Sequence, residues 1–250
     1  MEKYHVNYDK YADDYLANRQ INKTIYDLLC RQLHISKNDR ILEYGCGTGN
    51  YLIELEKYHE ANFWGVDTSQ KMIENATFCS KKIHFKHFNS LPLTIEDSFF
   101  NGIFCIDVIH HIRDLPLFFT ELDRIAKVGC KLVICTESPS QLEEKYWIKY
   151  FPSIATIDKK RFHPISKLLS VAQNNNWNFL SETRIEQHVI EPIKKDFLAK
   201  VNTKSISAFV LLDSEEYELG YQHLINDFSK SKPISKYEGY TILQLEKGCE

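Results

Sequence analysis

The sequence predicts an α/β protein built on a doubly wound, mainly parallel sheet. Short apolar, strand-like runs alternate with helix-period segments from residue 40 to residue 135, the pattern of a parallel sheet joined by crossover helices. A glycine turn, an acid and a histidine pair each fall just past the carboxyl end of one of those runs, where sheets of this kind hold their ligands. The 250 residues, 43% hydrophobic and 26% charged, suffice for one large domain with insertions.

In chain order, Tyr8, Tyr11 and Tyr15 fall at i, i+3 and i+7, with Tyr4 before them and Arg19 after. That spacing predicts an amphipathic helix that packs its tyrosines on the body. Ile21, Ile25, Leu28, Leu29 and Leu33 predict a second helix, leading into the run Arg40 to Tyr51, R-I-L-E-Y-G-C-G-T-G-N-Y. Ile41 and Leu42 begin a strand, Glu43 follows, and Gly45, Gly47 and Gly49 form a turn before the helical pattern of Leu52, Ile53 and Leu55. Glycines at such a turn admit positive φ and let a ligand approach the backbone with no Cβ in the way. A dinucleotide fingerprint G-x-G-x-x-G counted from Gly45 would need its third glycine where Asn50 stands, so that register fails.

Asn62 to Asp67 reads as a second strand ending in an acid, about 20 residues past the turn, where nucleotide sites place a carboxylate on the ribose hydroxyls. If Asp67 does no more than that, its removal would spare the fold. The alternative is that Asp67 or Thr68 caps the next helix, Ser69 to Phe78. Strands are expected at Lys82 to Phe88 and Asn101 to Ile106, the latter continuing into D-V-I-H-H-I-R-D-L. A lone histidine is usually structural, but His110 and His111 lie past a strand's carboxyl end and face the expected cleft. Asp114 caps a helix carrying Phe118, Leu122 and Ile125 that Gly129 is expected to end, followed by a strand from Cys130 to Cys135. From Pro139 to Pro164 the pattern turns aromatic and irregular, with Tyr146, Trp147, Tyr150, Phe151 and Phe162. Asp213 and Glu216 suggest a capping box for a helix to about Phe228, and strands near Trp177 to Val189 and Gly239 to Leu245 would complete the sheet as its antiparallel end.

A net charge of -3 gives no footprint for nucleic acid. The seven cysteines are odd in number and lack a C-x-x-C pair, and read as reduced thiols. The first twenty residues hold no apolar leader and no run approaches the ~18 apolar residues of a membrane span, so neither a membrane nor an extracellular setting is expected and the cytoplasm is. Neither histidine has a partner at ligand spacing, and no metal is expected.

The run E-x-G-x-G-x-G resembles the first motif of the Class I S-adenosylmethionine (SAM) dependent methyltransferases. The resemblance covers residues 8 to 140 well and the remainder loosely, where Y-F-P…D-K-K-R-F and S-I-S-A-F-V-L-L-D-S-E-E-Y-E-L-G look like features of a little-characterised small-molecule branch. It implies a Rossmann-like, doubly wound, seven-stranded sheet with helices on both faces and a helical, aromatic lid. It further implies that Glu43, Gly45, Cys46, Gly47 and Gly49 hold the methionine part of SAM, with Asp67 and Thr68 on the ribose and Met72 as an apolar platform for adenine. N-S-L-P-L resembles the segment beside the adenine amino group, offering Asn89 by chemistry or His87 by count, then Ser90; Cys105 and Ile106, at the end of the neighbouring strand, are assigned to the cofactor with them. A Y-x-x-x-A-x-x-Y arm upstream of the turn folds over the site in this family, which assigns Tyr15 and Arg19 to the cofactor and Tyr8 and Tyr11 to the acceptor. V-I-H-H-I-R-D is close to the family's V-L-H-H-L-x-D, and makes His110 and His111 the candidate catalytic bases.

The expected organisation is an arm over 1–38, a SAM-binding core over 39–138, lid insertions over 139–164 and 190–236, and sheet strands within 165–189 and 237–250. With no N-P-P-Y or D-P-P-Y run and no paired-glutamate loop, the acceptor is expected to be a small organic molecule or a peptide methylated on O, N or S. Tyr146, Trp147, Tyr150 and Phe162 would bind it, since rings stack on planar groups and exclude water. The rival expectations are an NAD-dependent oxidoreductase and a catalytically silent SAM-binding regulator.

Overall fold

The computed structural model describes residues 7–10, 12 and 21–249, so Tyr11, Tyr15 and Arg19 lie outside the described residues. Seven strands, β1 (Arg40–Tyr44), β2 (Asn62–Asp67), β3 (His84–His87), β4 (Phe100–Ile106), β5 (Ala126–Thr136), β6 (Trp177–Pro192) and β7 (Pro233–Lys247), form one sheet in the order β3-β2-β1-β4-β5-β7-β6. The first five pair in parallel, while β7 runs antiparallel between β5 and β6. The order turns back between β1 and β4, which opens a crevice at their carboxyl ends.

Ten helices accompany the strands among the described residues: α1 (Lys23–Leu33), α2 (Asn50–Tyr58), α3 (Gln70–Cys79), α4 (Leu115–Ile125), α5 (Pro139–Glu143), α6 (Ser153–Arg161), α7 (Ile165–Gln173), α8 (Lys195–Asn202), α9 (Ser207–Val210) and α10 (Ser214–Ser229). On one face, Leu29, Leu33, Leu52, Leu55 and Ile73 of α1 to α3 bury against Ile41, Phe63, Phe104 and Val133. On the other, Phe118, Phe119 and Leu122 of α4 and Leu168 of α7 pack with Leu42, Ile103, Leu132 and Trp177. β1, β4 and the carboxyl half of β5 are buried on both faces, which explains their near-continuous apolar runs. Side chains fix the helix starts: Asn22 accepts from the N–H groups of Thr24 and Ile25, Ser69 from Met72, and Asp114 from Leu117.

A third apolar cluster lies apart from the sheet. Tyr146, Phe151 and Ile154 of the 139–164 segment pack with Phe197, Val201, Phe209, Tyr217 and Leu224 of the 190–236 segment. The two insertions therefore form one lid, held above the carboxyl ends by the long β6–β7 hairpin. Both strands of that hairpin outrun their expected spans, and alternation of exposed charges such as Glu182, Arg184 and Glu186 marks β6 as a sheet edge.

Two local expectations are corrected. α4 ends at Ile125, four residues before Gly129; β5 starts at once, because Ala126 pairs with Phe100, and Gly129 (φ 78°) lies in the bulge before Lys131 pairs with Gly102. The Asp213–Glu216 capping box does not form. Asp213 accepts from the Glu215 N–H, while the Glu216 carboxylate accepts from the Ser153 N–H across the lid, a bond between segments that local spacing does not encode. Among the described residues no helix is long and apolar enough to cross a membrane.

Candidate active site

A cavity of about 1240 Å³ opens over the β1–β4 crevice, with the glycine turn and the ends of β2 and β4 as its floor and the lid as its roof. The turn is built by hydrogen bonds that face inward. The N–H groups of Gly45 and Cys46 both donate to the Val66 carbonyl, Gly47 donates to Asp67 Oδ2 at 2.8 Å, and Gly49 donates to the Cys46 carbonyl. Each glycine is needed for a different reason. Gly45 (φ 72°) lies so close to Val108 that a Cβ would stand 2.5 Å from its Cγ2; at Gly49 (φ 76°) a Cβ would meet Phe85 at 2.6 Å; at Gly47 (φ 52°) a Cβ would enter open space. Gly47 therefore leaves a gap in the cavity floor that a side chain would fill.

Asp67 does more than point into the cleft. Oδ2 takes the Gly47 N–H and Oδ1 takes the Ser69 N–H at 2.8 Å, so this carboxylate ties the glycine turn to the start of α3. Burial lifts its pKa above the ordinary carboxylate value, although the N–H groups of Ser69, Gly47 and Thr68 pull it down. Asp9, from the 3-10 turn Tyr8–Lys10, completes this corner by accepting from Ser69 Oγ at 2.5 Å and from the Lys71 N–H at 3.2 Å. Glu43, Asp67 and Asp9 thus give this end of the cavity a negative field.

The histidine pair lies in the 3-10 turn Ile109–His111 on the cavity wall. His111 Nε2 is 2.8 Å from the Tyr8 hydroxyl, and the His110 ring stacks on Phe162, with centroids 4.1 Å apart and planes at 14°. The pair joins the arm, the sheet and the lid.

Of the other predicted residues, Cys46, Thr68, Met72, Asn89, Ile106, Tyr146, Trp147 and Phe162 line the cavity. Four do not. Gly49 is turned toward Phe85 and serves helix packing; Cys105 points into the core on the opposite face of β4 from Ile106, buried among apolar residues; Ser90 is exposed beyond Asn89. Tyr150 donates its hydroxyl to Asp227 Oδ2 at 2.8 Å, which fastens the lid to itself. His87, the alternative to Asn89, spends Nε2 on the Thr68 carbonyl. Among the described residues no His, Cys, Asp and Glu group could hold a metal ion.

Sequence reasoning passed over a second group of charges in the same cavity. Asp107 follows β4 with φ 57°, a left-handed conformation that side chains rarely adopt. Glu137 follows β5 and pairs with Lys145, and on α6 Asp158 pairs with Arg161 at 3.1 Å, whose other nitrogen donates to Ser207 Oγ at 2.8 Å. For Glu137 the available signal was position: it stands directly past the carboxyl end of a parallel strand, as Asp67 does. Asp9 had no such signal, because its partners lie some sixty residues away.

Residues 35–201 match the family described as Methyltransferase domain. A ubiquinone biosynthesis O-methyltransferase of Pelagibacter ubique is 29% identical over 150 residues, 56% of this chain and 62% of that protein. For the first curated relatives matched, the aligned part spans 46 to 62% of their length. Among solved structures, a methyltransferase candidate from an antibiotic biosynthesis pathway of Anabaena variabilis superposes with a TM-score of 0.69 at 20% identity, covering 90% of this chain and 98% of that one. A geranyl diphosphate C-methyltransferase of Streptomyces coelicolor, solved with S-adenosyl-L-homocysteine, gives 0.58 at 14% identity and covers 97% and 85%. At such identities the structural likeness is one of fold.

Proposed function

The chain belongs to the Class I methyltransferase family, and from that membership we propose that it transfers a methyl group from SAM to a hydroxyl of a small, ring-containing organic molecule. The observation that carries the donor is the glycine turn. Its N–H groups at Gly45, Cys46, Gly47 and Gly49 are all committed to protein oxygens, and three carboxylates line the same corner. A pyrophosphate needs free N–H donors and a positive field, whereas a sulfonium cation with an ammonium group and ribose hydroxyls suits acids and a shallow glycine floor. This favours SAM over NAD. When bound, SAM supplies a methyl group already activated on a positively charged sulfur.

The chain's own residues then supply position and dryness. Glu43 and the gap at Gly47 receive the amino-acid end, Asp67 the ribose, and Met72 and Asn89 the adenine. Phe162, Trp147 and Tyr146 give the acceptor a ring-lined wall that excludes water, and holding methyl and acceptor in line accounts for much of the acceleration. A hydroxyl is favoured because a relative of this chain is named an O-methyltransferase.

Calorimetry is expected to show SAM binding and no NAD binding, and incubation with SAM and metabolite extracts to give S-adenosylhomocysteine with a product heavier by one methyl group. NAD binding without SAM binding overturns the proposal, and SAM binding with no methylated product in any extract returns the silent regulator. The arm has its own expected result. Asp9→Ala removes a part-buried hydrogen bond to Ser69 and an exposed one to Lys71, worth together ~0.5–1.5 kcal/mol, so SAM affinity falls about 2- to 10-fold and folding stability by no more than that energy. Unchanged affinity in that variant would show that the Asp9 contact plays no part in holding the cofactor.

A further inference from the structure

The Glu137–Lys145 pair has no part in binding the cofactor as described above, yet it is a charged group built into the wall of the same cavity. Glu137 and Lys145 are 8% and 9% exposed, and both line the cavity. Lys145 Nζ holds Glu137 Oε1 and lies 4.8 Å from the centre of the Trp147 ring and 5.7 Å from that of Tyr240. Lys145 takes Oε1 of Glu137 and leaves the second carboxylate oxygen, Oε2, outside that bond.

Strand register puts this carboxylate beside the reacting end. β4 and β5 stay paired to their carboxyl ends, with Ile106 opposite Cys135 and the Asp107 N–H on the Cys135 carbonyl. Thr136 is opposite Thr241 of β7, so Glu137 emerges between the end of β4 and Tyr240. The residue after Asp107 is Val108, whose side chain touches Gly45 of the turn assigned to the methionine part of SAM. The carboxylate is thus placed past the floor of the cofactor site and below the ring-lined wall of the lid.

We propose that Glu137 is the general base of the reaction, with Lys145 as the positioning residue that holds it. This rests on the reading of the protein as a SAM-dependent O-methyltransferase. Glu137 Oε2 takes the hydroxyl proton as the oxygen bonds to the methyl carbon; the carbon–sulfur bond breaks, its electron pair stays on sulfur, and a neutral thioether leaves. The proton returns to solvent when product departs. Lys145 keeps the carboxylate turned toward the acceptor, its Nζ held beside the Trp147 and Tyr240 rings.

The surroundings tune the group for that task. Burial pushes the Glu137 carboxyl up to about 7; Lys145 opposes the rise, and Asp107 and Asp158 add to it. Asp158 is itself offset by Arg161, and the Tyr240 phenol is driven up by Asp107 and by burial, so it stays neutral. A base with a pKa near the working pH combines a large unprotonated fraction with useful basicity. In contrast, His111 already engages the Tyr8 hydroxyl and His110 stacks on Phe162, which fits them for holding arm and lid in place.

The test uses the full chain with SAM and a graded series of phenols, from phenol to 4-nitrophenol, together with carbon NMR of labelled glutamate carboxyls in the wild type. The Glu137 resonance, assigned by its loss in Glu137→Gln or Glu137→Asp, is expected to titrate near 7, and turnover of phenol to rise with pH through the same value and level off. In Glu137→Gln, turnover of phenol falls about 10²- to 10⁴-fold, while 4-nitrophenol, ionised near pH 8, loses less than about tenfold and SAM affinity is kept. Lys145→Met removes the opposing charge, so both the resonance and the rate limb move to higher pH. The base assignment is overturned, with the SAM reading intact, if SAM binds but the Glu137 carboxyl titrates near the ordinary glutamate value. It is equally overturned if phenol turnover survives Glu137→Gln, or if no phenol is methylated while another acceptor is. Absence of SAM binding in the wild type overturns the underlying reading instead.

Discussion

Gly45→Ala is expected to unfold or severely destabilise the protein, whereas Gly47→Ala should fold and bind SAM more weakly. The two positions share a positive φ but not a neighbourhood. At Gly45 an added Cβ stands 2.5 and 2.7 Å from the two methyl groups of Val108, in backbone at φ 72°. Left-handed backbone costs about 1–2 kcal/mol for a residue with a Cβ, and overpacking another ~1–3 kcal/mol. A loss of about 2–5 kcal/mol is a large part of the ~5–15 kcal/mol that holds a typical domain folded. At Gly47 nothing lies within 4 Å, so only the backbone term applies, but the new methyl group occupies space on the cavity floor. SAM affinity should fall at least about tenfold, the equivalent of ~1.4 kcal/mol. Thermal unfolding and calorimetry on both variants check this. Wild-type melting of Gly45→Ala would refute the packing argument, and wild-type SAM affinity of Gly47→Ala would place the ligand elsewhere.

Asp67→Ala should damage both binding and fold. With Asp67 on the ribose, as proposed, the lost charged hydrogen bonds would amount to about 1.5–3 kcal/mol, or roughly 10- to 150-fold in SAM affinity. As a ribose ligand alone, Asp67 could be removed with the fold untouched, but the structure corrects that expectation. Its two oxygens satisfy the N–H groups of Gly47 and Ser69, and each group left without a partner in this buried corner costs about 1–3 kcal/mol. Asp67→Asn, which keeps one carbonyl oxygen, should recover part of the stability and little of the affinity. The wild type should also show the effect through pH. The Asp67 pKa is raised, so its charged form, the one that would bind ribose and attract the sulfonium on the proposed reading, predominates only above that raised value. SAM affinity should therefore decline, as the pH is lowered, sooner than an ordinary carboxylate would cause. Affinity independent of pH from about 7 to 4 would contradict a raised carboxylate in ribose contact.

Much of the fold was legible in the residues because its signals are local. Alternation of apolar runs with helical periods set the order of strands and helices, and Asn22, Ser69 and Asp114 cap helices through neighbours two or three residues away. The glycine turn and Asp67 were legible for the same reason: φ and strand ends are properties of short stretches. Where a signal crossed segments, reading along the chain failed. Gly129 resembled a helix stop, but pairing of Ala126 with Phe100 ends α4 earlier; Glu216 resembled a capping residue, but Ser153 captures it.

The sequence by itself determined a parallel sheet with a glycine turn after its first strand, an acid at the end of its second and a histidine pair after its fourth. Only the tertiary structure decided what these residues touch. It joined the two insertions into one lid, bonded Asp9 to Ser69 and Tyr8 to His111, and enclosed Glu137 with Lys145. The physical reason is that a side chain's orientation, burial and pKa depend on neighbours brought from distant parts of the chain. Tyr8 and His111 are 103 residues apart in sequence and 2.8 Å apart in space, and no periodicity along the chain records such a meeting.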